Sequence, residues 1–72
     1  MKIKNKIKII VNGKRMQVIT KLPLNNLITK LKMPLSKIAI ELNNQIIDKK
    51  KISKIYLQND DKIEIVHFIG GG

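Results

Sequence analysis

The sequence has 72 residues, enough for one small domain, and its 15 Lys and Arg against 5 Asp and Glu give a formal net charge of +10. A chain of this length buries only about 60–65% of the surface that its unfolded form exposes, which excludes a substrate cleft between two lobes. The absence of Cys excludes disulfides, thiolate metal ligands and a cysteine nucleophile.

The positive charge is carried by lysine rather than arginine. Fourteen of the fifteen basic residues are Lys, and only Arg15 has the planar fork that binds phosphate or guanine at two points. Aromatic platforms for stacking bases are limited to Tyr56 and Phe68. The 15 Ile, 14 Lys and 7 Asn, all with A/T-rich codons, are half of the chain. Codon drift therefore explains the charge better than nucleic-acid binding does.

Neither a secretion signal nor a membrane span is predicted. Lysine alternates with isoleucine near the start, which leaves no apolar run of the signal-peptide kind. No stretch approaches the ~20 apolar residues of a transmembrane helix, and no Ser/Arg-rich transit segment precedes the first predicted strand. We expect the protein to act where it is made, in a bacterial cytoplasm or, given the A/T bias, in the stroma of a plastid that encodes it.

The chain begins with a predicted β-hairpin. Lys and Ile alternate over residues 2–9, the period of a strand with one wet and one apolar face. Asn12-Gly13 favours a type I′ turn because both residues tolerate positive φ. A second strand is predicted over residues 15–21, with Met16 and Val18 on one face.

A single helix is predicted next, because four apolar residues have the i, i+3, i+4, i+7 spacing of one helix face. They are Leu24, Leu27, Ile28 and Leu31. Thr20 or Asn25 could cap its start. Since Pro34 cannot continue a helix, we expect it to end near Lys32 or Met33.

The second half of the chain predicts three more strands. Alternation places a third strand over residues 37–42 and a short one over 45–47, joined by an Asn-Asn turn. The polar segment 48–53 is interpreted as a loop or one helical turn, after which Ile55 and Leu57 are expected to enter the core. A turn at 58–61 precedes the last strand, which runs to about residue 68.

This order of elements predicts an α+β fold of the β-grasp, or ubiquitin-like, type. A mixed sheet of four to five strands would pack on one main helix, the minimum two-layer architecture. We assign residues 1–68 to this domain and residues 69–72 to a flexible C-terminal Gly-Gly-Gly tail.

Catalytic and metal-binding interpretations find little support. His67 is the single histidine, and Ser36 and Ser53 are far from it in sequence. Asp60 and Asp61 lie in a turn, where such residues usually bond their own backbone. No set of ligands with metal-binding spacing is present, and no bound cofactor is expected.

The C-terminus carries the most unusual pattern. Ile63 and Ile65 must face the helix, so the period of two places Val66 and Phe68 on the solvent side as a docking patch, with Ile69 beyond. The chain then runs into Gly70, Gly71 and Gly72. Without Cβ atoms these glycines could thread a narrow channel and bring the Gly72 carboxylate to another protein's catalytic groups.

The sequence resembles the ThiS family, the ubiquitin-like sulfur carriers of thiamine biosynthesis, over nearly its whole length. The matching segments are residues 10–13 (IVNG), 38–43 (IAIELN), 61–66 (DKIEIV) and 65–72 (IVHFIGGG). Two departures stand out. The family usually has Gly in the last turn, where this chain has Asp60. The loop after the short strand lacks the family's Pro-Arg and Trp-like residues and contains Lys49, Lys50 and Lys51 instead.

The resemblance implies a carrier cycle rather than an enzyme. A ThiF-like adenylating enzyme would use ATP to activate Gly72, and a sulfur donor fed by cysteine desulfurase would convert it to a thiocarboxylate. Thiazole synthase would then take the sulfur. Gly70 and Gly71 would let the tail enter the partner's active site, and Val66, Phe68 and Ile69 would form the surface that docks the partner.

Two alternatives stay open at this point. Within the same class, the carrier could serve molybdopterin synthesis or tRNA thiolation. In a different class, the chain could be a small basic RNA-binding module.

Overall fold

The computed structural model describes residues 5–68, which form a five-stranded mixed sheet covered on one face by a single α-helix. The strands and helix are β1 (Lys6–Val11), β2 (Lys14–Ile19), α1 (Leu24–Lys30), β3 (Ile38–Leu42), β4 (Gln45–Ile46) and β5 (Lys62–His67). Two 3₁₀ segments, Leu35–Lys37 and Lys49–Lys54, complete the chain. The predicted α+β fold is confirmed, and the sheet has five strands where four to five were expected.

The last strand lies in the middle of the sheet, whose order is β2-β1-β5-β3-β4. It pairs parallel to β1 and antiparallel to β3, while β1–β2 and β3–β4 are antiparallel pairs. Alternation of polar and apolar residues predicts where the strands are, but it does not predict which strands lie side by side. The strand order could therefore not be derived from the pattern alone.

The predicted hairpin is confirmed at its turn. Asn12 and Gly13 have φ of 50° and 83°, as a type I′ turn requires, and Val11 pairs with Lys14 directly across it. In β2, Val18 is buried and Met16 half-buried. The strand ends at Ile19, two residues earlier than expected, and Lys21 takes φ of 61° on the way to the helix.

The start of α1 differs from the prediction. Pro23 is its N-cap, with extended backbone angles, and no side chain caps the helix. The proposal of Thr20 or Asn25 as the cap is therefore wrong. Leu24 N–H donates instead to Ile55 C=O at 2.8 Å. Ile55, which directly follows the second 3₁₀ segment, thus satisfies a helix donor that would otherwise need a side-chain partner.

The end of α1 also comes earlier than expected. The helix stops at Lys30, Leu31 is its C-cap, and Lys32 reverses the chain at φ of 59°. The amide of Met33 then donates to the carbonyl of Ile28 at 3.3 Å, as in a Schellman ending. Lysine here occupies a position where glycine is usual, so no residue before Pro34 indicates the end of the helix.

The core lies between the sheet and the helix, and within residues 5–68 its fully buried side chains are all aliphatic. Leu57 is fully buried and Ile55 half-buried, as expected. Ile52 of the second 3₁₀ segment adds a buried side chain that the pattern did not predict. The buried set is Ile9, Val11, Val18, Leu24, Leu27, Ile28, Ile38, Ile40, Ile52, Leu57, Ile63 and Ile65.

The turn before β5 uses its acidic residues structurally. Asp61 accepts the Gln58 N–H at 2.7 Å with one carboxylate oxygen and the Asn43 side-chain amide at 2.9 Å with the other. Asn43 in turn accepts the Lys62 N–H at 2.9 Å. Asp60 takes the left-handed conformation at φ of 70°. The interpretation of these aspartates as turn residues is confirmed.

Candidate functional site

The central strand β5 leads to the candidate site. Its register against β3 places His67 opposite Ile38 and Val66 opposite Ala39. One further hydrogen bond, from Phe68 N–H to Lys37 C=O at 2.9 Å, continues the pairing past the end of the strand. The backbone is thus held by its neighbour up to the last residue that the structure describes.

The tail itself lies outside the described residues. This applies to Ile69, Gly70, Gly71 and Gly72, so the assigned boundary after residue 68 and the roles of these residues stay predictions.

The two faces of β5 differ as the period of two predicts. Ile63 and Ile65 point into the core, whereas Val66 and Phe68 are 59% and 45% exposed. Ala39, opposite Val66 on β3, is exposed as well. An exposed apolar patch of Val66, Phe68 and Ala39 therefore lies where β5 ends.

Lys49 is a residue of this region that the sequence reasoning missed. Its ammonium donates to Leu35 C=O at 2.9 Å and to Ile38 C=O at 2.8 Å, and it lies 5.6 Å from the centroid of the Phe68 ring. In the sequence Lys49 is one of three consecutive lysines, and nothing in this run indicates that its side chain, unlike those of Lys50 and Lys51, is half-buried. Only tertiary structure brings these carbonyls and this ring together.

A pair of glutamates on the exposed sheet face was missed for a similar reason. Glu41 of β3 and Glu64 of β5 are directly opposed register partners, and both are half-buried. Seeing this pair requires the strand order and the register, neither of which the alternating pattern contains.

The residues weighed for catalysis lie on the surface of the domain. His67, Ser36 and Ser53 are exposed. Within residues 5–68, no group of three His, Asp or Glu side chains could hold a metal ion. None of the helices in this range is long and apolar enough to cross a membrane.

A β-grasp domain whose central strand ends beside an exposed apolar patch and continues into three glycines has the features of a ubiquitin-like carrier. Comparisons with known proteins define this class further. A model of the ThiS family matches residues 5–72. The crystal structure of thiamine biosynthesis protein ThiS from Geobacter metallireducens superposes with a TM-score of 0.80 at 26% identity, covering 92% of this chain and 100% of that one.

Two curated relatives extend the comparison. Thiazole synthase of Magnetococcus marinus is 36% identical over 66 residues, which are 92% of this chain but 20% of that protein. A ycf40 protein of Trieres chinensis is 37% identical over 62 residues, 86% of this chain and 85% of the relative. The chain thus spans about a fifth of the length of the thiazole synthases that it matches. It belongs to the ThiS family, the ubiquitin-like sulfur carriers of thiamine biosynthesis.

Proposed function

We propose that the carboxylate of Gly72 is the reacting group of this carrier. It would attack the α-phosphate of ATP on an adenylating enzyme and release pyrophosphate. The terminal sulfur of a donor persulfide would then displace AMP from the acyl adenylate and give an acyl disulfide. A thiol would cleave this S–S bond, forming a new disulfide with the donor sulfur and releasing the thiocarboxylate, which donates its sulfur to thiazole formation. Carriers of this family act as protein co-substrates rather than as catalysts. ATP is accordingly bound by the partner.

The observation that carries this proposal is the position of the three glycines. They follow a central strand that is hydrogen-bonded through Phe68. The four residues 69–72 extend about 13–14 Å when fully stretched, far enough to enter a partner's active site while the domain stays outside. Gly70 and Gly71 lack the Cβ atoms that would obstruct a narrow entry channel.

We assign partner docking to Val66, Phe68 and Ile69. Val66 and Phe68 are exposed at the end of β5, and Ile69 follows them directly in the chain. Large apolar side chains beside a reactive tail can be buried by a partner without cost to the folded core. Docking here would place the domain so that the tail points into the active site.

The partners follow from the family and from one relative. Thiazole synthase of Magnetococcus marinus contains a segment similar to this chain, which supports thiazole synthase as the sulfur acceptor. A ThiF-like adenylating enzyme and a sulfur donor fed by cysteine desulfurase complete the proposed cycle. The ycf40 relatives are plastid-encoded, which supports action in a plastid stroma, while the relatives from bacteria are consistent with the other expected place, a bacterial cytoplasm.

The test is ATP–pyrophosphate exchange by a ThiF-like enzyme with the carrier as substrate. We expect the full chain to support exchange and a chain lacking Gly72 to abolish it with an unchanged melting temperature. Exchange that persists without Gly72 would refute the tail mechanism.

Two further measurements test the alternative functions. Sulfur transfer to molybdopterin synthase but not to thiazole synthase would favour the molybdopterin role. Submicromolar RNA binding at physiological salt, unaffected by loss of Gly71 and Gly72, would favour an RNA-binding module.

A further inference from the structure

Lys49 differs in its surroundings from its neighbours in the second 3₁₀ segment. Its side chain is half-buried, whereas Lys50, Lys51 and Lys54 are exposed. Two of the three ammonium protons are donated to backbone carbonyls, those of Leu35 and Ile38. A charged donor forms stronger hydrogen bonds than a neutral one, so these two contacts hold the side chain in one place.

The two carbonyls that Lys49 binds lie close in the chain to Lys37, the residue that pairs with the backbone beyond the end of β5. Leu35 and Ile38 are on either side of Lys37, and the Lys37 carbonyl accepts the Phe68 N–H at 2.9 Å. Lys49 therefore fixes the short segment from Leu35 to Ile38, and that segment holds the backbone of Phe68.

A second contact from the same ammonium reaches the side chain of Phe68. The distance of 5.6 Å from Nζ to the ring centroid is within the range of about 6 Å for a cation–π interaction. Lys49 thus acts on Phe68 twice, through the backbone partner of its amide and through its ring.

We propose that Lys49 is a positioning residue for the carrier tail, an inference that rests on the function proposed above. By fixing Phe68, it fixes the point from which the chain continues toward Gly72, next to the exposed side chain of Val66. A residue held in its place before binding lowers the entropic cost of docking a partner at the end of β5. Lys49 touches no reacting atom, so its loss should raise KM for the carrier and leave kcat nearly unchanged.

The first experiment needs no partner and measures amide hydrogen exchange of Phe68 in the intact chain. In Lys49→Met, which keeps a long apolar stem, we expect exchange at Phe68 to accelerate about 5-fold or more relative to the amide of Ile9 in the distant hairpin. Lys51→Met removes the same charge from an exposed position of the same segment, and there Phe68 should exchange at the normal rate. Lys49→Arg, which can still donate to both carbonyls and stack on the ring, should restore protection.

The second experiment measures pyrophosphate exchange against carrier concentration. We expect Lys49→Met to raise KM about 3–10-fold with kcat within twofold, and Lys51→Met to change neither. A Phe68→Leu background removes the ring but keeps the amide, so the added effect of Lys49→Met should become smaller there without vanishing, because Lys49 still fixes the segment that holds this amide.

The outcomes separate this inference from the proposed function. If the wild-type chain is not adenylated, the proposed function fails, while the hydrogen exchange still decides whether Lys49 fixes Phe68. Unchanged exchange at Phe68, or equal acceleration at Phe68 and Ile9, would overturn the inference, since the second result means a general loss of stability. An effect on KM in Lys51→Met equal to that in Lys49→Met would also overturn it. If Lys49→Met fails to fold, Lys49→Gln is compared with Lys51→Gln in the same way.

Discussion

The side-chain oxygen of Asn12 accepts the backbone N–H of Ile65 at 2.7 Å. Asn12 also donates its own N–H to the carbonyl of Ile63 at 2.9 Å. Asn12 thus forms the turn of the β1–β2 hairpin and also hydrogen-bonds that hairpin to β5, the central strand of the sheet. One asparagine serves both purposes because its side chain is short and its backbone tolerates φ of 50°.

Replacing Asn12 with Ala should lower the free energy of unfolding by about 2–3 kcal/mol. About 1 kcal/mol comes from the lost hydrogen bond to a part-buried N–H, and the rest from placing Ala at positive φ. Asn12→Gly is the matched control, because it loses the same hydrogen bond without the backbone strain and should be the milder variant. Urea denaturation gives the free energy of unfolding of the wild type and the two variants. Equal losses in Asn12→Ala and Asn12→Gly would contradict the backbone strain assigned to Ala.

Replacing Asp60 with Gly should raise the free energy of unfolding by about 0.5–1 kcal/mol, because Gly accommodates φ of 70° more easily than Asp does. Asp60→Asn removes the same charge while keeping a side chain that tolerates this conformation, so it isolates the backbone effect. A Gly variant no more stable than the Asn variant would show that the left-handed Asp costs nothing here.

Replacing Glu64 with Gln should stabilise the domain by about 0.2–1 kcal/mol in 0.15 M salt, because Glu64 directly faces Glu41 across β5 and β3. The opposing effect, a higher net charge on a +10 chain, is mostly screened beyond about 8 Å at that salt concentration. In a Glu41→Gln background the gain should vanish. A Glu64→Gln effect that is the same with and without Glu41 would mean that the pair does not repel.

Replacing Val66 with Ser should raise KM for the carrier in pyrophosphate exchange about 10-fold while changing stability by less than about 0.5 kcal/mol, since Val66 is 59% exposed. Ile19→Ser is the matched control, because Ile19 is 56% exposed on edge strand β2. Equal changes of KM in both variants would argue against docking at the end of β5.

The exposure of the apolar patch at the end of β5 could be predicted from sequence because it follows from backbone geometry alone. Successive side chains of a strand point to opposite faces, so burying Ile63 and Ile65 leaves Val66 on the solvent side wherever β5 lies in the sheet. The hairpin turn was predictable for the same local reason, since Asn12 and Gly13 both accept positive φ.

What could not be predicted depends on residues that are distant in the chain. The first helical N–H, that of Leu24, is satisfied by Ile55, and no local capping rule identifies such a partner. The inward turn of Lys49 depends on carbonyls of another segment. The stop at Lys30 was missed because Lys32 adopts a left-handed conformation for which glycine is the usual signal.

The central claim is that sulfur is carried on the carboxylate of Gly72, and intact mass spectrometry tests it most directly. After incubation with ATP, the adenylating enzyme and the sulfur donor, we expect the chain to gain about 16 Da, the difference between sulfur and oxygen, and fragmentation to place the gain on Gly72. Oxidation of Met1, Met16 or Met33 adds nearly the same mass, so the position of the shift decides. An unshifted Gly72 fragment, with or without a shift at a methionine, would contradict the account.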